Sequence, residues 1–215
     1  METNEKNVKN TKKKIKQLKI ILLGESGVGK TNIISRYVND LFNAKAFSTI
    51  GATFMDKELK RDKDIYKLHI WDTSGQERYH SITKLFVKES DIVLLVYSID
   101  NIKSFNNLDY WYKEITNLCG DSFILGVAGN KYDLFDDENI ERVPDEEAMK
   151  YANEKNAIFK LISAKQDKKG IDSLFEQLLD KYIIKNKSNI IESDEEDKIN
   201  IQNNNNKIKK EKKCC

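Results

Sequence analysis

Several residue types are scarce in this chain of 215 residues, which has one proline, two histidines and three cysteines. Cys119 lies in a helical pattern, and Cys214 and Cys215 end the chain, so a disulfide framework is not expected. The two histidines, His69 and His80, are isolated from each other and from other ligand types, which argues against a histidine metal site. This cysteine usage indicates a reducing compartment, and the cytosol is the expected one.

Long apolar runs and a strong net charge are also missing. No stretch reaches the roughly 18 apolar residues typical of a membrane span, and the lysine-rich N-terminus lacks the apolar core of a secretory signal. The formal net charge is +2 although 33% of the residues are charged, so no nucleic-acid partner is expected. Lysines crowd both termini, and an acidic block covers Glu192 to Asp197.

Between the charged termini, short apolar runs alternate with helical patterns. Runs typical of buried parallel strands cover Leu18–Leu23, Asp91–Tyr97 and Phe123–Gly129, with a shorter strand at Ile158–Ile162. Helices are predicted over Lys30–Val38, Ser104–Leu118, Asp145–Glu154 and Ile171–Ile184. Thr53–Lys60 and Ile65–Trp71 flank a charged turn and partly alternate, as the strands of an antiparallel edge hairpin do.

These elements predict an α/β fold with a mostly parallel six-stranded sheet, one antiparallel edge strand and helices on both faces. The chain is long enough to bury a core of that size. We expect a disordered basic arm over residues 1–16, one globular domain over residues 17–185 and a flexible tail over residues 186–215.

The segment GESGVGKT, Gly24 to Thr31, matches the P-loop pattern GxxxxGK[ST] and lies between a predicted strand and a predicted helix. Its glycines let backbone N–H groups point at phosphate oxygens, and the helix dipole adds to that attraction. Lys30 is expected to reach the β- and γ-phosphates, and the Thr31 hydroxyl to bind Mg²⁺. The alternative, a glycine turn with an idle lysine, is disfavoured by the strand–helix context. The predicted contacts are Ser26, Gly27, Val28, Gly29, Lys30, Thr31 and Asn32.

Two roles toward the phosphates are predicted for WDTSGQE, Trp71 to Glu77, at the end of a hairpin strand. Asp72 is placed to hold Mg²⁺ through water, and Gly75 leaves room for its N–H beside a γ-phosphate. Gln76 is the predicted catalytic residue, because its side chain offers both a donor and an acceptor to an attacking water.

The base is predicted to be guanine from two later motifs. In NKYD, Asn130 to Asp133, the Asp133 carboxylate can accept hydrogen bonds from the N1–H and the amine of guanine, donors that adenine lacks there. SAK, Ser163 to Lys165, is suited to offering the Ala164 N–H to guanine O6. Each motif alone is weak, since an Asp after a strand is usually a helix cap. Their order behind a P-loop makes GTP or GDP with Mg²⁺ the expected ligand, and adds Asn130, Lys131, Asp133, Ser163, Ala164 and Lys165 to the predicted contacts.

With these motifs, the region from about Leu18 to Ile184 resembles a Ras-superfamily small GTPase, with its P-loop NTPase fold, and specifically the Rab family. STIGATF, Ser48 to Phe54, is similar to the Rab first switch loop. The resemblance implies that Thr49 binds Mg²⁺ and senses the γ-phosphate, and that Phe42 packs on the guanine ring. GATF together with ERYHSI, Glu77 to Ile82, resembles the early-endosomal Rab subgroup.

The resemblance also implies an effector-binding surface formed by Ile50, Gly51, Phe54, Trp71 and Phe86. Trp71 has an alternative interpretation as a core residue. Two positions depart from the family pattern. Ser74 replaces an Ala before Gly75, a small change that alters hydrogen bonding without removing Gln76, and FVKES, Phe86 to Ser90, replaces a Tyr-Tyr-Arg-Gly run, which bears on partners more than on nucleotide chemistry.

The loop from Phe42 to Gly51 contains no arginine, so intrinsic hydrolysis should be slow and a GTPase-activating protein (GAP) should accelerate it by about 10³–10⁵-fold. The resemblance implies further partners: an exchange factor, effectors, a prenylation escort and a GDP-dissociation inhibitor. A monomer is expected. Cys214 and Cys215, behind a lysine cluster, resemble the Rab double-geranylgeranylation signal, and two lipids suffice for stable anchoring.

The expected function is therefore a GTP/GDP switch that recruits effectors in vesicle trafficking. Its expected location is the cytoplasmic face of intracellular membranes, endosomal ones favoured, with cycling through the cytosol. Two alternatives stay open: a GTP-binding scaffold that barely hydrolyses, and a P-loop kinase acting on a metabolite.

Overall fold

A computed structural model describes residues 14–76, 85–120 and 122–187. Its strands are β1 (Ile15–Leu23), β2 (Ala52–Arg61), β3 (Asp64–Thr73), β4 (Ile92–Ser98), β5 (Ile124–Asn130) and β6 (Ile158–Leu161). Its helices are α1 (Lys30–Asn39), α2 (Ile102–Asn106), α3 (Leu108–Cys119), α4 (Asp145–Glu154) and α5 (residues 168–187). The strands form one six-stranded sheet in the order β2-β3-β1-β4-β5-β6, in which only the β2–β3 pair is antiparallel. The predicted fold is confirmed.

Helices cover both faces of the sheet because the central strands are apolar on both sides. Along β1, Ile20 and Leu22 face one core cluster while Ile21 and Leu23 face the other, as the two-residue period of a strand requires. Side chains of α1 and α5 fill the first cluster, and those of α2, α3 and α4 fill the second. β4 and β5 are buried along their whole length, which explains their unbroken apolar sequence.

Some boundaries differ from the sequence-based expectations. β1 begins at Ile15, inside the expected N-terminal arm, because Ile15 pairs with Ile65 of β3 and Lys16 forms a 2.8 Å ion pair with Asp64. The single helix predicted over Ser104–Leu118 is divided at Asn107 into α2 and α3. Helix α5 continues to residue 187.

Four strands end at the same edge of the sheet, and each leads into one of the motifs. The P-loop follows β1, the segment DTSGQ overlaps the end of β3, NKYD begins at the end of β5, and SAK follows β6. Parallel strands necessarily bring their carboxyl ends together, so the topology assembles the motifs. In the part of the chain that the structure describes, no helix is long and apolar enough to cross a membrane.

Several predicted features lie outside the described residues. These are Glu77 with the rest of ERYHSI, His80, the first thirteen residues of the arm, the acidic tail block, Cys214 and Cys215.

Candidate functional site: a nucleotide pocket

The P-loop opens into a cavity of about 400 Å³ at the carboxyl edge of the sheet. Gly29, at φ 95°, begins α1 without a side-chain cap, so the first N–H groups of that helix have no intrahelical partner. A Cβ on Gly29 would lie 2.4 Å from Asn130 Nδ2, so only glycine lets the P-loop pass this close to the NKYD motif. The helix N-terminus and the cavity together form a site suited to an anionic ligand.

The cavity is lined by most of the residues predicted to bind nucleotide, with Val28 and Ser163 as the exceptions. The predicted residues that line it are Ser26, Gly27, Gly29, Lys30, Thr31, Asn32, Phe42, Thr49, Gly75, Asn130, Lys131, Asp133, Ala164 and Lys165. Val28 and Ser163 act one step away, through hydrogen bonds to Asn130 and Asp133. The sequence motifs thus converge on one cavity.

Further lining residues were not predicted: Asn43, Ala44, Ala46, Phe47, Ser48, Thr73 and Leu134. Five of them lie in the loop between Phe42 and Thr49, both of which were predicted. The available signal for these five was their position between Phe42 and Thr49, because most of them belong to no sequence motif.

Lys30 is a buried cation with neutral partners. Its side chain is 5% exposed, and Nζ donates to the carbonyls of Gly24 at 2.8 Å and Glu25 at 2.9 Å. Burial lowers the pKa of Lys30 to about 8, although the charges of Asp72 and Glu25 oppose the shift. No carboxylate of the described residues forms an ion pair with Nζ. The site therefore favours a bound anion, which would pair with the buried ammonium group of Lys30.

A cluster of oxygen atoms lies beside Lys30. The hydroxyl oxygens of Thr31 and Thr49 are 3.0 Å apart, and they lie 2.8 Å and 3.0 Å from Asp72 Oδ2. The other carboxylate oxygen, Asp72 Oδ1, is buried without a hydrogen-bond partner among the described residues. Desolvation raises the pKa of Asp72, against the hydrogen bonds from Thr31 and Thr49 and the charge of Lys30.

This cluster fits Mg²⁺. Octahedral Mg²⁺ holds oxygen ligands at about 2.1 Å, which places neighbouring ligands about 3 Å apart, the spacing of the two hydroxyls. Within the described ranges no group of three His, Cys, Asp or Glu residues could hold a metal by itself. Mg²⁺ ordinarily takes few protein ligands together with substrate phosphates and water, so this donor set suits a nucleotide-bound Mg²⁺.

Gly75 packs directly onto the P-loop. A Cβ at Gly75 would lie 2.3 Å from the carbonyl carbon of Glu25 and 2.4 Å from the nitrogen of Ser26, so no other residue fits. The neighbouring Gln76 does not line the cavity, and its N–H donates to Ser74 Oγ at 3.3 Å. The predicted catalytic side chain therefore lies next to the cavity, with its backbone held by the serine that departs from the family pattern.

The base end of the cavity is held by buried side chains. Asn130 is 2% exposed, and its Nδ2 donates to the Val28 carbonyl at 2.8 Å while Oδ1 accepts from the Ala164 N–H at 3.1 Å. Asp133 accepts a 2.5 Å hydrogen bond from Ser163 Oγ and lies 3.6 Å from Lys165 Nζ. The Ala164 N–H predicted for guanine O6 thus already has a partner, and contacting O6 requires sharing or replacing that bond.

Phe42 and Lys131 form the sides of this end. Phe42 packs against the core cluster beneath α1, and Lys131, in a left-handed conformation at φ 65°, lies 3.4 Å from the Asp100 carboxylate. Phe42 and Lys131 both line the cavity, and an aromatic ring and an aliphatic stem are groups against which a planar ligand can pack.

Three of the predicted effector residues, Phe54, Trp71 and Phe86, have aromatic rings in contact. The ring centroids of Phe54 and Trp71 are 5.3 Å apart, and those of Trp71 and Phe86 are 5.0 Å apart. Phe54 is 56% exposed and Ile50 77% exposed, whereas Trp71 is half-buried and packs against the core cluster beneath α3. Trp71 therefore meets both descriptions, because it packs in the core and also contacts the rings of Phe54 and Phe86.

Comparison with known proteins identifies the family. The Ras family model matches residues 19–184. The chain is 40% identical to Ras-related protein Rab-31 of Mus musculus and of Homo sapiens over 151 residues, which is 70% of this chain and 76% of each relative. It is 37% identical to Ras-related protein RABA1b of Arabidopsis thaliana over 172 residues, 80% of this chain and 78% of that relative.

The family match covers the P-loop, the loop that carries Thr49, the segment around Gly75 and both base motifs. Ras-family proteins bind guanine nucleotide with Mg²⁺, which agrees with the buried cation and the oxygen cluster. Proteins of the Rab group act as GTP-dependent switches in vesicle trafficking. The chain therefore belongs to the Ras family and, within it, is a Rab-type small GTPase that hydrolyses GTP to GDP and phosphate.

Proposed function

We propose that this protein is a slow GTPase switch whose GTP-bound form recruits effectors to an intracellular membrane, and that the membrane is endosomal. The observation that carries the proposal is the convergence of Thr31, Thr49 and Asp72 beside buried Lys30. Thr49 belongs to an otherwise exposed loop, so its inward position makes that loop responsive to what the pocket holds.

At the phosphate end, the P-loop N–H groups and Lys30 would bind the phosphates, Thr31 and Thr49 would hold Mg²⁺, and Asp72 would hold it through water. When bound, Mg²⁺ neutralises phosphate charge. The Thr49 hydroxyl contacts Thr31 and Asp72, and Mg²⁺ with the γ-phosphate would add to those contacts, so loss of the γ-phosphate loosens its loop. The exposed Ile50 and Phe54 lie on the same loop and the strand it enters, so their arrangement changes with the nucleotide.

At the base end, the Asp133 carboxylate binds the N1–H and amine of guanine, and Ser163 fixes its orientation. Asn130 ties the P-loop to the SAK loop, and Phe42 and the stem of Lys131 enclose the ring. A buried carboxylate left without donors is strongly unfavourable, which supports selection against adenine.

Hydrolysis is proposed to be slow because the cavity supplies little cationic charge for the transition state. Among the described lining residues the cations are Lys30, Lys131 and Lys165, and none is an arginine. Gln76 orients the attacking water, and a GAP supplies the missing charge.

The chain ends are proposed to act as the predicted arm and tail. The arm precedes β1, the GTPase domain continues to the end of α5, and the tail carries geranylgeranyl groups on Cys214 and Cys215. A flexible tail of that length spans roughly 30 Å, which holds the domain off the bilayer while the lipids anchor it. Exchange factor, GAP, effectors, prenylation escort and GDP-dissociation inhibitor are the proposed partners of a monomer.

Single-turnover hydrolysis of bound GTP tests the switch against the scaffold alternative. Wild type is expected to hydrolyse GTP slowly, and Gln76→Leu at least tenfold more slowly still, with both binding GTP equally. Asn139→Ala, in the exposed loop after Asp137, is the matched control and should match wild type. Equal inertness of wild type and Gln76→Leu would favour a scaffold, and phosphoryl transfer to a metabolite would favour a kinase.

The endosomal location is supported by GATF and by the similarity to Rab-31. Imaging of the tagged full chain against endosome and Golgi markers tests it. A double substitution of Cys214 and Cys215 by Ser should release the protein to the cytosol with nucleotide binding intact. Co-localisation with Golgi markers alone would contradict the endosomal proposal, and persistent membrane residence of the double variant would contradict the lipid anchor.

A further inference from the structure

Arg36 lies in the last turn of α1 and contacts a loop 128 residues further along the chain. Its Nε donates to the Ala164 carbonyl at 2.9 Å, and Nη2 donates to the Lys165 carbonyl at 3.1 Å. The remaining nitrogen, Nη1, donates to the Asp40 carbonyl at 3.1 Å and to its carboxylate at 2.8 Å. One side chain therefore joins the SAK loop to the end of α1.

Both segments joined by Arg36 lead to the base end of the pocket. Ala164 is 3% exposed, and its N–H bonds to Asn130 while its carbonyl bonds to Arg36. On the other side, Asp40 ends α1 in a left-handed conformation and Phe42, which lines the cavity, follows two residues later. Arg36 thus connects the loop proposed to read the base with the segment that carries the aromatic ring beside it.

The contacts of Arg36 are unequal in weight. The Asp40 side chain is 58% exposed, so its ion pair with Arg36 contributes little. The Arg36 side chain is only 17% exposed, and a charged donor to a buried carbonyl forms a strong hydrogen bond. The planar guanidinium reaches two successive carbonyls at once, which an ammonium group cannot reproduce. Its main effect therefore falls on the SAK loop.

Resting on the proposed guanine-binding function, we infer that Arg36 is a positioning residue that fixes the SAK loop for the base and couples it to the Asp40–Phe42 segment. Movement of that segment loosens the base contacts at the same time. Arg36 does not itself line the cavity, so its effect on the base passes through the residues that it bonds: Ala164 and Lys165, which line the cavity, and Asp40, two residues before Phe42.

The test measures dissociation of a fluorescent GDP derivative from the full chain in Mg²⁺ buffer. Arg36→Ala should accelerate dissociation roughly tenfold to hundredfold, and Arg36→Lys should fall between it and wild type. Arg61→Ala is the matched control. Like Arg36, Arg61 forms ion pairs with acidic side chains, in its case Glu176 and Asp180 of α5, but it does not line the pocket. Its substitution should leave the dissociation rate within about twofold of wild type. Should Arg36→Ala not fold, as judged by circular dichroism, Arg36→Lys carries the comparison.

A GDP derivative with an altered base distinguishes positioning of the SAK loop from a general loosening of the pocket. The 6-thio derivative of GDP replaces O6 by a weaker acceptor, so wild type should release it faster than GDP, and Arg36→Ala should largely abolish that difference. Equal acceleration of both nucleotides, or dissociation of GDP as slow as in wild type, would overturn the inference alone. Wild type without guanine-nucleotide binding would overturn the proposed function and this inference together.

Discussion

The base end and the phosphate end of the pocket are built in different ways. At the base end, Asn130 is fixed by the Val28 carbonyl and the Ala164 N–H, and Asp133 by the Ser163 hydroxyl, all near the ends of core strands. These bonds join parts of the protein to one another and need no ligand. Recognition of the base is therefore a property of the folded core.

At the phosphate end, the residues proposed to sense the nucleotide lie in loops. Thr49 is held by hydroxyl contacts to Thr31 and Asp72, while its neighbour Ile50 is 77% exposed and Phe47 95% exposed. Few apolar contacts hold such a loop in one arrangement, so ligand contacts decide its position. One pocket can therefore combine a base end whose contacts stay the same with a phosphate-end loop whose position depends on the γ-phosphate.

Asp133→Asn is expected to have the largest effect, because it changes the side chain proposed to bind guanine. An amide offers a donor where guanine needs an acceptor, so preference should move from GTP toward xanthosine triphosphate by on the order of 10⁴-fold. Competition of unlabelled nucleotides against fluorescent GDP measures the change. Asp137→Asn, in the exposed loop that follows, is the control and should leave the preference unaltered. Unchanged GTP affinity in Asp133→Asn would remove this residue from the base pocket.

Thr49→Ala tests whether the phosphate end of the pocket responds to the γ-phosphate. Loss of the hydroxyl should weaken binding of a non-hydrolysable GTP analogue with Mg²⁺ by about tenfold while GDP affinity stays near wild type. Thr49→Ser retains the hydroxyl and should restore most of the difference. Calorimetric titration with both nucleotides gives the two affinities. Equal weakening toward both would mean that Thr49 does not sense the γ-phosphate.

The lowered pKa of Lys30 predicts proton uptake on binding. Near pH 8.5 a large fraction of Lys30 is neutral before binding, since its pKa is about 8, and phosphate favours the charged form. Binding should therefore take up a proton, and affinity should fall by up to tenfold per pH unit as pH rises above 8. At pH 6.5 Lys30 is already charged, so this uptake should vanish.

Calorimetry of GDP binding in two buffers of different ionisation enthalpy measures the proton count. Lys30→Arg is the control, because arginine stays charged and should show no uptake at pH 8.5. Buffer-independent binding heats in wild type at pH 8.5 would contradict the assignment.

Ser74→Ala should have the smallest effect. The Ser74 hydroxyl accepts the Gln76 N–H at 3.3 Å, a long bond that holds Gln76 beside the cavity. Removing it should raise intrinsic hydrolysis, by no more than about fivefold, because a neutral hydrogen bond contributes about 1 kcal/mol. Single-turnover assays with Ser122→Ala as control measure the rate. A slower Ser74→Ala variant would show that the hydroxyl assists Gln76.

Most of the pocket residues could be predicted from the sequence, because the side chains that bind nucleotide belong to short sequence motifs. Gly29, Lys30 and Thr31 are adjacent in the chain, and Asn130 and Asp133 are about one turn's length apart in sequence, so local sequence places them. The strand pattern then predicts that the motifs meet, since parallel strands end at a common edge.

The remaining features depend on contacts between distant parts of the chain. Arg36 looks like an ordinary polar position of α1, and only the folded structure brings it to Ala164. The division of the predicted helix at Asn107 accompanies a 2.9 Å hydrogen bond from Asn107 Nδ2 to Glu25 Oε1, 82 residues away. The early start of β1 likewise depends on pairing with β3. Local propensity contains none of this information.

Hydrogen–deuterium exchange of the GDP-bound and GTP-analogue-bound forms, both with Mg²⁺, tests the central contrast most directly. We expect the GTP analogue to protect the loop from Phe42 to Gly51 and the segment around Gly75, while Asn130–Asp133 and Ser163–Lys165 exchange alike in both forms. Equal exchange of the phosphate-end loops in both forms, or a change confined to the base end, would contradict it.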